Sequence, residues 1–131
     1  MGLNRESAGD RSLIAVVDDD AGTRVALARL LRMHGFVPLT FNSGNAFLQA
    51  QVSNPVACVL LDLMMPGLSG FETKAKLDAS GPQLPAILIT ANAEPELCAR
   101  AEREGFVACL TKPCVGSQLI PVINQALRRP T

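Results

Sequence analysis

The chain has 131 residues, of which 48% are apolar and 18% charged, a balance that suits one globular domain with a single core and excludes a disordered segment. Its 12 basic and 12 acidic residues cancel, so no basic excess points to nucleic acid and no basic amphipathic stretch points to a membrane surface. No apolar run approaches the length needed to cross a bilayer.

Residues 1–11 (MGLNRESAGDR) lack an apolar signal core and read as a flexible tail, with the domain expected over 12–131. The first strand is LIAVV at 13–17, and it ends in Asp18, Asp19 and Asp20. Three adjacent carboxylates repel, which raises the pKa of at least one of them. Either a solvated turn or a bound positive charge lets such a cluster persist. A helix is predicted over Thr23–His34, where Val25, Leu27, Leu30 and Leu31 alternate with Arg24, Arg29 and Arg32 and Gly35 provides the stop. The second strand, FVPLTF at 36–41, ends without a charge in Thr40, Phe41, Asn42 and Ser43.

A helix over Asn45–Ser53 leads to VACVLL at 56–61, closed by Asp62. After a helix at Phe71–Ala79, the strand PAILIT at 85–90 ends on Thr90. The next helix, Ala93–Glu104, has Pro95 in its first turn and Gly105 as its stop. FVACL at 106–110 then runs into Lys112 and Pro113, and a last helix is predicted over Ser117–Arg129. Pro121 falls about one turn into that helix and is expected to loosen its start. Cys58, Cys98, Cys109 and Cys114 form no CxxC pair and sit in apolar or helical patterns. They read as reduced, buried thiols of a cytosolic protein, without a zinc site.

Five β-branched runs alternating with five helical patterns imply an α/β fold, a three-layer, doubly wound (βα)5 domain with a parallel sheet and right-handed crossovers. Ligands of such sheets bind outside the carboxyl ends of the strands. The residues expected there are Asp18, Asp19 and Asp20, Asp62, Thr90 and Lys112. Singly, each has an ordinary explanation: an Asp after a strand caps or turns, a Thr is common in strands, and a Lys is usually solvated. Their convergence at four strand ends favours a polar, ion-binding pocket. Its carboxylates suit Mg²⁺, a carboxylate can attack phosphorus, Lys112 offers a point charge to phosphoryl oxygens, and Thr90 offers a hydroxyl. Phosphoryl transfer needs mainly alignment and charge neutralisation.

The stretches VVDDD, LLDLMMPGLSG, ILITA and LTKP, in that order over roughly 12–129, resemble the receiver domain of bacterial two-component response regulators, in the stand-alone, chemotaxis-regulator-like form. The resemblance implies a five-stranded flavodoxin-like sheet of order 2-1-3-4-5. It implies that Asp62 is the phosphoacceptor, Asp19 the direct Mg²⁺ ligand (Mn²⁺ can substitute) and Asp18 a ligand largely through water. The Met64 backbone carbonyl is the remaining protein ligand, and Asp20 is only a neighbour. Thr90, followed by Ala91, corresponds to the hydroxyl that reorients toward the phosphoryl group; Lys112 is the phosphate-binding lysine and Lys112–Pro113 a cis peptide. Met64 and Asn92 are expected at the pocket rim. The implied function is a phosphorylation-dependent signalling switch, not an enzyme beyond its own phosphorylation and dephosphorylation. Its phosphoryl donor is a sensor histidine kinase or a histidine phosphotransfer protein. A cytoplasmic monomer or weak dimer is expected, with neither nucleic acid nor membrane as a direct partner.

Two positions depart from the family pattern. Cys109 stands where an aromatic residue is common, and Cys114 where Phe is common. A small thiol at 109 cannot sweep between exposed and buried positions. Thr90 is therefore expected to move while 109 stays still, with the signal carried by the loop around Asn92–Glu96. A phosphate sink or a degenerate interaction module is the bland alternative. A haloacid-dehalogenase-type phosphatase is the enzymatic one, with Asp18 as nucleophile, Asp20 as acid, and Thr90 and Lys112 in its later motifs. That reading needs a later acidic pair, which residues 113–131 lack, and leaves Asp62 unused. A flavin site is disfavoured because the acids after the first strand repel phosphate. No output segment is expected after the last helix, so the receiver stands alone or belongs to a longer regulator.

Overall fold

The computed structural model describes residues 12–53, 56–81 and 83–128; the expected tail at 1–11 lies outside them. The strands are β1 (Leu13–Val17), β2 (Val37–Phe41), β3 (Cys58–Asp62), β4 (Ala86–Thr90) and β5 (Ala108–Thr111). They alternate with helices α1 (Ala21–Met33), α2 (Gly44–Ser53), α3 (Gly70–Ala79), α4 (Pro95–Arg103) and α5 (Gly116–Arg128). All strands are parallel in the order β2-β1-β3-β4-β5. This is the order the family resemblance implies, with the direction of winding reversing between β1 and β3.

Strand pleating divides the core into two layers, because successive side chains point to opposite faces. Ile14, Val16, Cys58, Leu60, Ile87 and Ile89 face Leu27 and Leu31 of α1 and Leu119, Ile120 and Ile123 of α5. Ala15, Val17, Val59, Leu61, Ala86 and Leu88 face Phe47 of α2, Phe71 and Leu77 of α3 and Ala101 of α4. Burial on both faces explains why β3 and β4 read as unbroken apolar runs. Each such Leu, Ile or Val contributes roughly 1.5–3 kcal/mol, and the frame they build holds the strand ends in fixed register.

The helix ends are set locally. Ser69 and Glu72 form a capping box at α3, the Ser69 Oγ accepting from Glu72 N–H at 3.1 Å and Glu72 Oε1 accepting from Ser69 N–H at 2.8 Å. Gly35 and Gly105 follow the ends of α1 and α4 with φ of 87° and 96°, the left-handed region that glycine enters without steric cost. α4 begins on Pro95 rather than Ala93, since proline is already set for the first helical position. α5 continues through Pro121. Its buried face of Leu119, Ile120, Ile123 and Ala126 outweighs the one backbone bond that proline removes.

The cysteine expectation needs correction. Cys58 is a buried free thiol and Cys114 a half-buried one, but Cys98 and Cys109 form a disulfide. The pleat explains it: Leu110 faces the α1/α5 layer, so its neighbour Cys109 faces the other layer, beside α4 and Cys98. Sequence spacing alone does not reveal that meeting.

Candidate functional site

The carboxyl ends of β1, β3, β4 and β5 bring the expected side chains together. Asp18 follows β1 and is 2% exposed; Asp62 ends β3 and is 5% exposed; Thr90 ends β4 and is 4% exposed. Buried carboxylates require partners. Lys112 supplies them with one, its Nζ lying 2.8 Å from Asp18 Oδ2 and 3.0 Å from Asp62 Oδ1. The ammonium thus bridges two acids that are 44 residues apart in the chain. The Lys112–Pro113 peptide is cis, and Lys112 N–H donates to the Thr90 carbonyl at 2.8 Å, tying the lysine to the end of β4.

Asp18, Asp19 and Asp62 each offer a carboxylate oxygen, and these atoms lie within 4.8 Å of one another. Asp19 is exposed at the mouth, the other two are buried. Asp20 turns away. It caps α1, its Oδ2 accepting from Thr23 N–H at 2.7 Å and from the Thr23 hydroxyl at 2.8 Å, and those bonds hold its carboxyl below the ordinary range. Engaged in this way, Asp20 is not the free acid that the phosphatase alternative needs. An open cleft of about 390 Å³ faces the cluster, lined by Asp19, Asp62, Leu63, Met64, Thr90, Ala91, Asn92, Leu97 and Lys112. Met64 is 74% exposed at its rim. Asn92 N–H donates to Thr90 Oγ1 at 3.3 Å, and the Asn92 side chain donates to Glu94 at 3.2 Å.

Burial pushes the Asp62 carboxyl above its ordinary range; the Lys112 hydrogen bond opposes this, and the Asp18 and Asp19 charges reinforce it. Burial also disfavours the charge on Lys112, but bonds to Asp18 and Asp62 outweigh it and hold the ammonium above its usual value. Carboxylates outnumber the ammonium three to one here. That excess of hard oxygen donors, open on one side, fits a small divalent cation.

Sequence reading missed three contributors. Arg24 Nη1 donates to the Asp18 main-chain carbonyl at 2.7 Å, fixing the turn from the helix side. Gly70 lies against β3, where a Cβ would stand 2.6 Å from the Asp62 carbonyl oxygen. Cys98, expected as a reduced thiol, is instead joined to Cys109. Nothing in the spacing of Gly70 along the chain tells of its close approach to the Asp62 carbonyl.

A sequence model of the response regulator receiver domain matches residues 14–124. The chain belongs to the response regulator receiver domain family. It is 34% identical over 125 residues to the transcriptional regulatory protein TdiR of Thauera aromatica, covering 95% of this chain and 55% of that one. The transcriptional regulatory protein FixJ of Bradyrhizobium diazoefficiens is 34% identical over 116 residues, 88% of this chain and 57% of its own. The receiver thus spans about half the length of these curated relatives. Among solved structures, a response regulator receiver domain protein from Clostridium thermocellum superposes with a TM-score of 0.83 at 28% identity, covering 90% of this chain and 95% of that one. The beryllofluoride-activated DrrB receiver domain gives a TM-score of 0.80 at 29% identity over 90% and 98% of the two chains. As a receiver, the chain is a phosphorylation-dependent signalling module of a two-component system, a family of switches fed by histidine kinases. Among the described residues, no helix is long and apolar enough to cross a membrane.

Proposed function

We propose that Asp62 accepts the phosphoryl group and that the receiver changes partner binding as a result. The observation that carries this is the Lys112 ammonium, seated between Asp18 at 2.8 Å and Asp62 at 3.0 Å beside an open cleft. In the reaction, an Asp62 carboxylate oxygen forms a bond to phosphorus while the donor's N–P bond breaks and its electron pair returns to the imidazole. Lys112 offers its ammonium to the phosphoryl oxygens, and Thr90 can donate its hydroxyl to one of them. Asp18, Asp19, Asp62 and the Met64 carbonyl would hold a Mg²⁺, which supplies charge neutralisation when bound. Mn²⁺ has the same ligand preferences and substitutes. Ala91 and Asn92 border the entry, and Met64 stands at its rim, where their size controls access of water to the acyl phosphate.

The donor is a sensor histidine kinase or a histidine phosphotransfer protein, met in the cytoplasm by a monomer or weak dimer. The receiver serves its own phosphorylation and dephosphorylation and no other turnover. Intact-mass measurement with acetyl phosphate and Mg²⁺ tests the central claim. One added phosphoryl group is expected, absent with chelator and absent in Asp62→Asn. Labelling of Asp62→Asn at the wild-type rate overturns it.

A further inference from the structure

Cys109 lies on β5 three residues before Lys112, in register with Leu88 on β4. Cys98 lies in the first turns of α4. Their Cα atoms are 5.5 Å apart and their sulfurs are joined, with a sequence separation of 11. The bond therefore joins α4 to β5 next to the acid cleft, whose walls include Leu97, the neighbour of Cys98 on α4, and Lys112, three residues beyond Cys109. Between these walls runs the loop that leaves Thr90 and carries Ala91 and Asn92, also at the cleft.

We propose that Cys98 and Cys109 form a reversible thiol–disulfide site whose oxidation fastens α4 to β5 and restrains the segment that follows Thr90. Three observations support it. The Cα separation falls within the range that disulfides occupy, so the packing of α4 on β5 accommodates the bond. Both cysteines are half-buried, which leaves them within reach of small thiols and disulfides, whereas Cys58 is fully buried and its thiol is pushed up to about 12, an inert position. And neither cysteine is among the residues that line the acid cleft, so oxidation leaves the acid cluster assembled while it stiffens what adjoins it.

The chemistry balances with a small-molecule disulfide such as oxidised glutathione. The thiolate of one cysteine attacks it, releasing one small thiol and leaving a mixed disulfide. The second cysteine's thiolate then attacks the protein sulfur of that intermediate and releases the other small thiol. Two electrons pass from the cysteines to the small disulfide, and their two protons end on the released thiols. Excess reduced glutathione drives the same steps backward. A segment that must adopt two arrangements to transmit a signal loses that freedom when its ends are cross-linked. The oxidised receiver is thus phosphorylated but mute at α4, and the reduced receiver is responsive. This consequence for output rests on the phosphoacceptor reading; the redox site does not.

The test uses the full chain in glutathione buffers of increasing oxidation, quenched with maleimide and read by intact mass and peptide mapping. Oxidation should protect two thiols, link the peptides holding Cys98 and Cys109, and reverse with excess reduced glutathione; Cys98→Ser and Cys109→Ser should each abolish the link. Free alkylation of both cysteines under oxidising conditions, or linkage to Cys114 or to a second chain instead, overturns the site. Amide spectra with and without beryllofluoride then read the consequence. Shifts over 91–98 should shrink at least about threefold on oxidation, while those around Asp62 persist. The Cys98→Ser/Cys109→Ser double variant should respond equally in both buffers. Equal shifts over 91–98 in oxidised and reduced wild type overturn the restraint. Absence of any shift around Asp62 in either state defeats the phosphoacceptor reading, and with it the effect on output, while the mass result judges the redox site on its own.

Discussion

Lys74 and Lys112 both bind carboxylates, yet they sit at opposite ends of the sheet and solve different problems. Lys74 lies near the amino ends of β4 and β5, beside Leu84, Pro85 and Gly105. Its side chain is only 7% exposed, and it pairs at 2.6 Å with Asp78, one helical turn ahead on α3 and 45% exposed. Its ammonium also lies 5.7 Å from the centre of the Phe106 ring. Lys112 is more exposed, at 23%, but its partners Asp18 and Asp62 are 3% and 6% exposed and come from different strands. In the first pair the buried partner is the base, satisfied locally by a carboxylate that water also reaches. In the second the buried partners are two acids, held close by one shared ammonium. A site that keeps excess charge out of water is one that can take up another ion; a locally balanced pair is only part of the frame.

Replacing each lysine with methionine breaks the comparison open. Lys112→Met leaves Asp18 and Asp62 buried and facing each other, so chemical denaturation in chelator should show a loss of about 2–3 kcal/mol. Added Mg²⁺ should recover a good part of that loss, because ligand binding to the native state stabilises it by mass action. Recovery by NaCl at matched ionic strength to the same extent counts against a specific cation site.

Gly70→Ala tests whether the frame reaches the pocket. The new Cβ meets the Asp62 carbonyl oxygen at 2.6 Å, so α3 must shift away from β3, at a cost of about 2 kcal/mol. Slower labelling by acetyl phosphate should accompany the lower denaturation midpoint. Unchanged stability shows that α3 accommodates the methyl group without strain.

A smaller effect, of opposite sign, is expected at Asp62. Because burial raises its folded-state pKa, the folded protein holds this proton more tightly than the unfolded chain does. Stability from this group is therefore greatest below the ordinary carboxylate pKa and falls as pH rises through the raised value. At neutral pH in chelator, Asp62→Asn should stabilise, by less than Gly70→Ala destabilises, a gain that vanishes as pH drops below about 4. Thermal melts at the two pH values decide it; a destabilised Asp62→Asn at pH 7 defeats the account.

Lys74→Met should move stability least, within about 1 kcal/mol, since Asp78 rehydrates when freed and the methionine stem fills the same space against Phe106. It should leave labelling by acetyl phosphate unaltered. A loss as large as that of Lys112→Met shows that burial of the base, rather than of the acids, dominates.

The amino-acid sequence determined the alternation of five strands and five helices, and with it the sheet edge at which Asp18, Asp62, Thr90 and Lys112 gather. This was legible because the signals are local: apolar runs of strand length, helical periodicity, and glycine stops such as Gly35 and Gly105. Side-chain alternation within a strand was legible too, but not which layer each face would meet. Tertiary structure alone decided that Asp18 turns inward to Lys112, a partner 94 residues away, whereas the cap that Asp20 makes on α1 is a local bond to Thr23. It decided the close approach of Gly70 to the Asp62 carbonyl. And it decided that Cys98 and Cys109 meet: their separation follows from the packing of α4 on β5, a non-local distance that no spacing along the chain encodes.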